Sequence, residues 1–89
     1  MEVTFQVSLY PIAQTNFRKP INGFIANLKS DQLKLEVQET STIGIGDIEL
    51  VFESLKQAYK QACGSGATVM VLTIVNEHPT REELNKLNE

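Results

Sequence analysis

The sequence has few of the residues on which secreted, membrane and nucleic-acid-binding proteins depend. Cys63 is the single cysteine among 89 residues, so an intramolecular disulfide is excluded. Lys and Arg total 8 against 11 Asp and Glu, a net charge of −3, which provides no positive surface for phosphates or anionic membranes. The sequence also lacks a secretory leader pattern and any apolar run near the roughly 20 residues that span a bilayer. A cytoplasmic protein that binds neither nucleic acid nor membrane is expected.

The length favours one domain, covering residues 1–89, with a small core. At this size folding buries only about 60–65% of the surface of the unfolded chain. Self-association is therefore expected to add stability, because it buries further apolar surface.

Hydrophobic periodicity predicts four strands. Alternation of apolar and polar residues marks the first two, the third follows the second across a turn, and the fourth is apolar on both faces. The four strands are Val3–Tyr10, Leu33–Gln38, Thr40–Ile45 and Thr68–Val75. A turn is expected near Gln38 and Glu39. Gly44 and Gly46 predict a bulge or tight bend at the far end of the third strand.

Apolar spacings of three and four residues predict two helices between these strands. The first follows the capping candidates Thr15 and Asn16, and Pro20 fits only near its first turn. Asp47 is placed to cap the second, whose predicted buried face is Ile48, Val51, Phe52, Leu55, Tyr59 and Ala62. A capping box over Thr80–Glu83 predicts a short last helix.

The element order predicts an α+β, ferredoxin-like βαββαβ sandwich with antiparallel sheet order 4-1-3-2 and a short C-terminal helix. Val3, Phe5 and Val7 are expected to face the two helices, leaving the other face of the sheet bare. That bare face, or the edge of the fourth strand, carries an apolar row that a solvated sheet does not normally expose. The sequence is compatible with two ways of burying this row: packing against a second subunit, or packing against the terminal helix folded back over the sheet.

The pattern expected of an enzyme or a metal site is missing from the sequence. His78 has no partner at metal-ligand spacing, and Cys63 ends a predicted helix without an evident base. The Gly44–Asp47 segment lacks both the third glycine of a dinucleotide-binding loop and the lysine of a P-loop. We therefore predict no catalytic residues, no metal and no cofactor.

Several segments resemble, in order and spacing, the thiamine-binding protein family of small ferredoxin-like proteins, long catalogued only as a domain of unknown function. These segments are Gln6–Pro11, Ser41–Thr42, Gly46–Asp47 and Val51–Lys56. The resemblance runs from about Glu2 to Val75. It implies non-enzymatic binding of thiamine or its hydroxymethylpyrimidine moiety by a homodimer or homotetramer built through the sheets and the fourth strand. The chain departs from the family pattern at Gly44–Ile45 and Gln38–Glu39.

Polar residues near the ends of the first and third strands suit an aminopyrimidine. Such a ring offers acceptor nitrogens, an amino donor and two faces on which Tyr10 could stack. Glu39 could pair with the amino group or a cationic thiazolium. The predicted ligand-binding residues are Gln6, Ser8, Tyr10, Glu39, Ser41 and Thr42. Alternation along a strand prevents Ser41 and Thr42 from pointing to the same face unless a bulge intervenes.

Three hypotheses remain open from the sequence. The leading one is a homo-oligomeric binder of thiamine or hydroxymethylpyrimidine. The second is a structural or regulatory oligomerisation module without a thiamine site, which the departure at Gly44–Ile45 and the two-sided apolar fourth strand favour. Ordinary strand or turn polarity explains Ser8, Ser41 and Thr42 individually. An enzyme comes third and would require a role for Glu39 or His78.

Overall fold

The structure, a computed structural model, describes residues 1–12, 18–30, 33–38, 40–64 and 66–77. Its elements are β1 (Glu2–Pro11), α1 (Arg18–Ser30), β2 (Lys34–Val37), β3 (Thr42–Asp47), α2 (Ile48–Cys63) and β4 (Thr68–Val75). The four strands form one antiparallel sheet in the order β2-β3-β1-β4. The predicted ferredoxin-like α+β fold and strand order are confirmed. The helix predicted from Thr80 lies outside the described residues.

Alternation along β1 separates the two faces of the sheet. Val3, Phe5 and Val7 are at most 2% exposed and pack in one core cluster with buried residues of α1 and α2. Both helices therefore cover this face, as predicted. The opposite side, here called the open face, carries Gln6 on β1 and the paired residues Ile43 of β3 and Thr73 of β4.

Asp47 ends β3 and caps α2, as predicted. Its side chain accepts a hydrogen bond from the backbone N–H of Glu49 at 3.1 Å, and Oδ1 lies 3.3 Å from the amino group of Met1. These two contacts, the amino group first, lower the pKa of Asp47. The strand thus passes directly into the helix.

The glycines of β3 lie within a regular strand. Gly44 pairs with Phe5 and Gly46 with Val3, and the register continues unbroken to Asp47. A Cβ added at Gly44 would overlap the Phe5 ring and lie 2.8 Å from Leu35 Cδ2. The prediction of a bulge or bend here is wrong, because these positions lack side chains to make room for the core.

The buried stripe of α2 differs from the prediction at three positions. Phe52 is predicted in the core but is 47% exposed, whereas Ser54 and Ala58, which the prediction leaves out, are 2% and 0% exposed. Within the described residues, Ser54 Oγ has no hydrogen-bond partner. Phe52 lies at the margin of the apolar stripe, on a side of α2 that is open to solvent.

Two glycine substitutions are expected to change stability in opposite directions. Gly44→Ala should destabilise the protein by about 1–3 kcal/mol, because a new methyl group overlaps the Phe5 ring. Gly23→Ala is the matched control within α1, where no described atom outside the helix backbone would lie within 4 Å of the added Cβ. It should stabilise by about 0.5–1 kcal/mol. Urea unfolding measures both, and equal effects would contradict the packing role of Gly44.

Candidate ligand-binding site

A cavity of about 250 Å³ lies between α1 and the sheet, where β1 ends and β3 begins. Its apolar wall comes from one face of α1 and the helix-facing side of β1: Val7, Leu9, Ile21, Phe24 and Ile25. Its polar lining comes from the strand ends and the segment before β3: Ser8, Tyr10, Gln38, Thr40, Ser41 and Thr42. A cavity with an apolar wall and a few convergent polar groups is the usual form of a small-molecule site.

The strand ends are fixed by backbone hydrogen bonds on either side of the cavity. Ile12 N donates to Ala67 O at 2.8 Å, which holds the end of β1 against the start of β4. Gln38 N donates to Ser41 O at 2.8 Å and closes the turn that leads into β3. The antiparallel pairing of β1 with β3 brings the polar residues at the end of β1 and the start of β3 to the same corner of the sheet.

Four of the six predicted ligand-binding residues line this cavity: Ser8, Tyr10, Ser41 and Thr42. Gln6 is not a lining residue, but its Nε2 donates a hydrogen bond to Ser41 Oγ at 3.0 Å. Glu39 lies outside the described residues. The structure therefore brings four of the predicted residues together and joins Gln6 to one of them, while their roles in binding stay a prediction.

Ser41 and Thr42 both reach the cavity although neighbouring strand residues face opposite ways. Thr42 pairs with Val7, faces the helices and is 4% exposed. Ser41 precedes β3 and receives its hydrogen bond from Gln6, which lies on the open face. Residues from both faces of the sheet therefore line the cavity at the end of β1 and the start of β3.

Sequence reasoning missed the contribution of α1. The apolar spacing of the first helix predicts only a packed helix face, yet Ile21, Phe24 and Ile25 form one wall of the cavity. Gln38 and Thr40, which also line the cavity, are the adjoining ends of the second and third predicted strands. Apolar helical spacing does not distinguish a residue that fills the core from one that borders a cavity, so no local signal could have identified these positions.

The described lining of the cavity carries no charged side chain. Tyr10 pairs with Val69 of β4, so its side chain lies on the open-face side of β1, and it is 52% exposed. Elsewhere, the described residues contain no group of three or more His, Cys, Asp or Glu side chains that could hold a metal ion. The cavity can thus offer neutral hydrogen bonds and apolar or aromatic contacts, which suit an uncharged ring.

Cys63 lies half-buried at the end of α2, away from the cavity. The hydroxyl of Tyr59 donates to Thr68 O at 2.8 Å, and a hydrogen bond with Cys63 raises the pKa of Tyr59. Cys63 therefore lies beside the residue whose hydroxyl joins α2 to β4.

A second, more open groove of about 420 Å³ lies beside the start of α2 and the end of β4. Apart from Asn76 its described lining is apolar, with Met1, Ile48, Phe52 and Ile74 among its residues. None of the predicted ligand-binding residues that the structure describes lines this groove. Neither helix in the described part of the chain is long and apolar enough to cross a membrane.

Comparison with known proteins gives one family and several solved structures. A family model described as the YKOF-related Family matches residues 2–81. A comparison with curated proteins gives no match.

The solved structures share the fold at low sequence identity. Protein SP2199 from Streptococcus pneumoniae is 21% identical with a TM-score of 0.80, and each chain covers 100% of the other. A protein from Thermotoga maritima, provisionally named a thiamine biosynthesis/salvage protein, is 20% identical with a TM-score of 0.80 and the same full coverage. A domain of unknown function DUF77 from Bacillus cereus is 20% identical with a TM-score of 0.78, covering 93% of this chain and 86% of that one.

Proposed function

Since the chain belongs to the YkoF-related family, we propose that it binds thiamine or the hydroxymethylpyrimidine part of thiamine without catalysing a reaction. The observation that carries the proposal is the cavity at the end of β1 and β3, which gathers Ser8, Tyr10, Ser41 and Thr42 against an apolar wall. The provisional name of the Thermotoga maritima protein, which has the same fold, gives further support.

The chemistry of an aminopyrimidine matches the two kinds of surface in the cavity. Its ring nitrogens accept hydrogen bonds and its amino group donates them, and the hydroxyls of Ser8, Ser41 and Thr42 can do both. Its flat faces are apolar enough to lie against Phe24, and the exposed ring of Tyr10 can stack on one of them.

The size and charge of the cavity favour the pyrimidine ring as the group that enters. Its volume of about 250 Å³ lies just below the range of about 300–1,000 Å³ for sites that hold drug-sized ligands. A cationic thiazolium would gain little inside a lining whose described side chains are uncharged. In bound thiamine the thiazolium would therefore lie toward the mouth of the cavity.

We further propose that residues 1–89 act as one domain in a cytoplasmic homodimer or homotetramer. The support is β4, an edge strand of the sheet whose open-face side chains Val69, Val71 and Val75 are 42%, 51% and 43% exposed. A long apolar edge strand invites pairing or packing with another chain, which would bury these side chains. This same feature supports the alternative function, a structural or regulatory oligomerisation module without a ligand.

Calorimetric titration with hydroxymethylpyrimidine and with thiamine tests the binding proposal. Wild type is expected to bind, and Tyr10→Ala is expected to weaken binding about tenfold through lost stacking. Tyr10→Phe is the matched control: it keeps the ring and should keep most of the affinity. If millimolar ligand gives wild type neither heat nor a thermal shift, the proposal is wrong.

Sedimentation velocity tests the assembly proposal. Val71→Lys places a charge on the apolar row of β4 and should shift the protein from oligomer to monomer, because burial of an unpaired lysine is costly. Gln57→Lys, on the exposed side of α2, is the control and should leave the mass unchanged. A wild-type monomer, or an oligomer unaffected by Val71→Lys, would count against assembly through β4.

The two candidate functions are separated by measuring binding and mass on the same variants. Ser8→Ala and Tyr10→Ala should reduce ligand binding while the oligomer stays intact. If these variants instead lose assembly and wild type shows no ligand binding, the module without a ligand site is the correct function.

A further inference from the structure

The hydrogen bond from Gln6 to Ser41 connects the open face of the sheet to the cavity. Gln6 lies in the middle of β1, between Ile43 of β3 and Thr73 of β4. Its Nε2 donates to Ser41 Oγ at 3.0 Å. Ser41 is 9% exposed and lines the cavity, whereas Gln6 does not.

This bond determines whether the Ser41 hydroxyl can still donate a hydrogen bond to another group. A serine hydroxyl has one proton to donate and two lone pairs to accept with. The Gln6 amide uses a lone pair, so the proton remains available. Among the described residues, none accepts a hydrogen bond from Ser41 Oγ, and the turn contact with Gln38 uses the backbone carbonyl of Ser41 instead.

We propose that Gln6 is a positioning residue that makes Ser41 a hydrogen-bond donor toward the cavity, and that the site thereby selects ring ligands with an acceptor atom at that point. A pyrimidine nitrogen is such an acceptor, and a carbocyclic ring has none. The inference rests on the proposed function and adds to it a specificity determinant outside the lining. A buried hydroxyl without a partner is unfavourable, so a ring lacking the acceptor is disfavoured.

The test uses two probes, hydroxymethylpyrimidine and its benzene analogue in which CH replaces both ring nitrogens. Wild type should bind the pyrimidine about tenfold more tightly than the analogue, the worth of one or two net hydrogen bonds. Ser41→Ala should abolish most of this preference by weakening binding of the pyrimidine alone.

Gln6→Glu is the decisive variant. Its carboxylate can only accept, so the Ser41 proton turns toward it and away from the cavity. Affinity for the pyrimidine should fall about tenfold, while affinity for the benzene analogue stays within about twofold of wild type. Gln6→Leu, which removes the donor without adding an acceptor, should have a smaller effect because the hydroxyl is then free to rotate.

Thr73→Glu is the matched charge control. Thr73 is exposed on β4, directly opposite Gln6, so this variant adds the same charge beside the same position. It should leave the preference for the pyrimidine unchanged. Circular dichroism and urea unfolding establish that each variant is folded.

The outcomes separate this inference from the proposed function. Wild type that binds neither probe would overturn both. Suppose that wild type binds the pyrimidine, but the Gln6→Glu variant keeps the preference or binds both probes more weakly by the same factor. This result would overturn the role of Gln6 and leave the proposed function standing.

Discussion

The packing of Phe5 over Gly44 is the contact on which the rest of the structure depends. Phe5 is 1% exposed at the middle of β1, and its ring occupies the space that any side chain at position 44 would need. This fit specifies one register between β1 and β3, since a shift by one residue would turn Phe5 to the open face and leave the core unfilled. The same register brings Ser41 and Thr42 beside the end of β1.

The site depends on β1, whose side chains alternate between the two faces of the sheet. Val7 contributes to the core, Gln6 lies on the open face, and the next residues of β1 reach the cavity where the sheet ends. Polar groups are tolerated there because the strand ends are not enclosed on every side. The first helix then supplies an apolar wall, so the cavity combines hydrogen-bonding and apolar surfaces without a charged side chain among its described lining residues.

Prediction from the sequence succeeded where the signal was short-range and failed where two distant segments meet. The alternation of Val3, Phe5 and Val7 identified the buried face of β1, and Asp47 was recognised as the cap of α2. Gly44 was misread because glycine in a strand signals either a bend or a close neighbour, and only the position of Phe5 decides which. Phe52 was misplaced for a related reason: the angle at which α2 packs sets the margin of its buried stripe.

The sequence by itself determined the element order, the buried side of the first strand and the ferredoxin-like sheet, because hydrophobic periodicity and helix caps act between residues a few positions apart. It also indicated Ser8, Tyr10, Ser41 and Thr42 as candidate ligand-binding residues through the family resemblance. Only the tertiary structure decided that α1 completes the cavity around them and that Gln6 reaches Ser41 from the open face. Those contacts join residues far apart in the chain, and their geometry is set by the packing of helix on sheet and by the strand register.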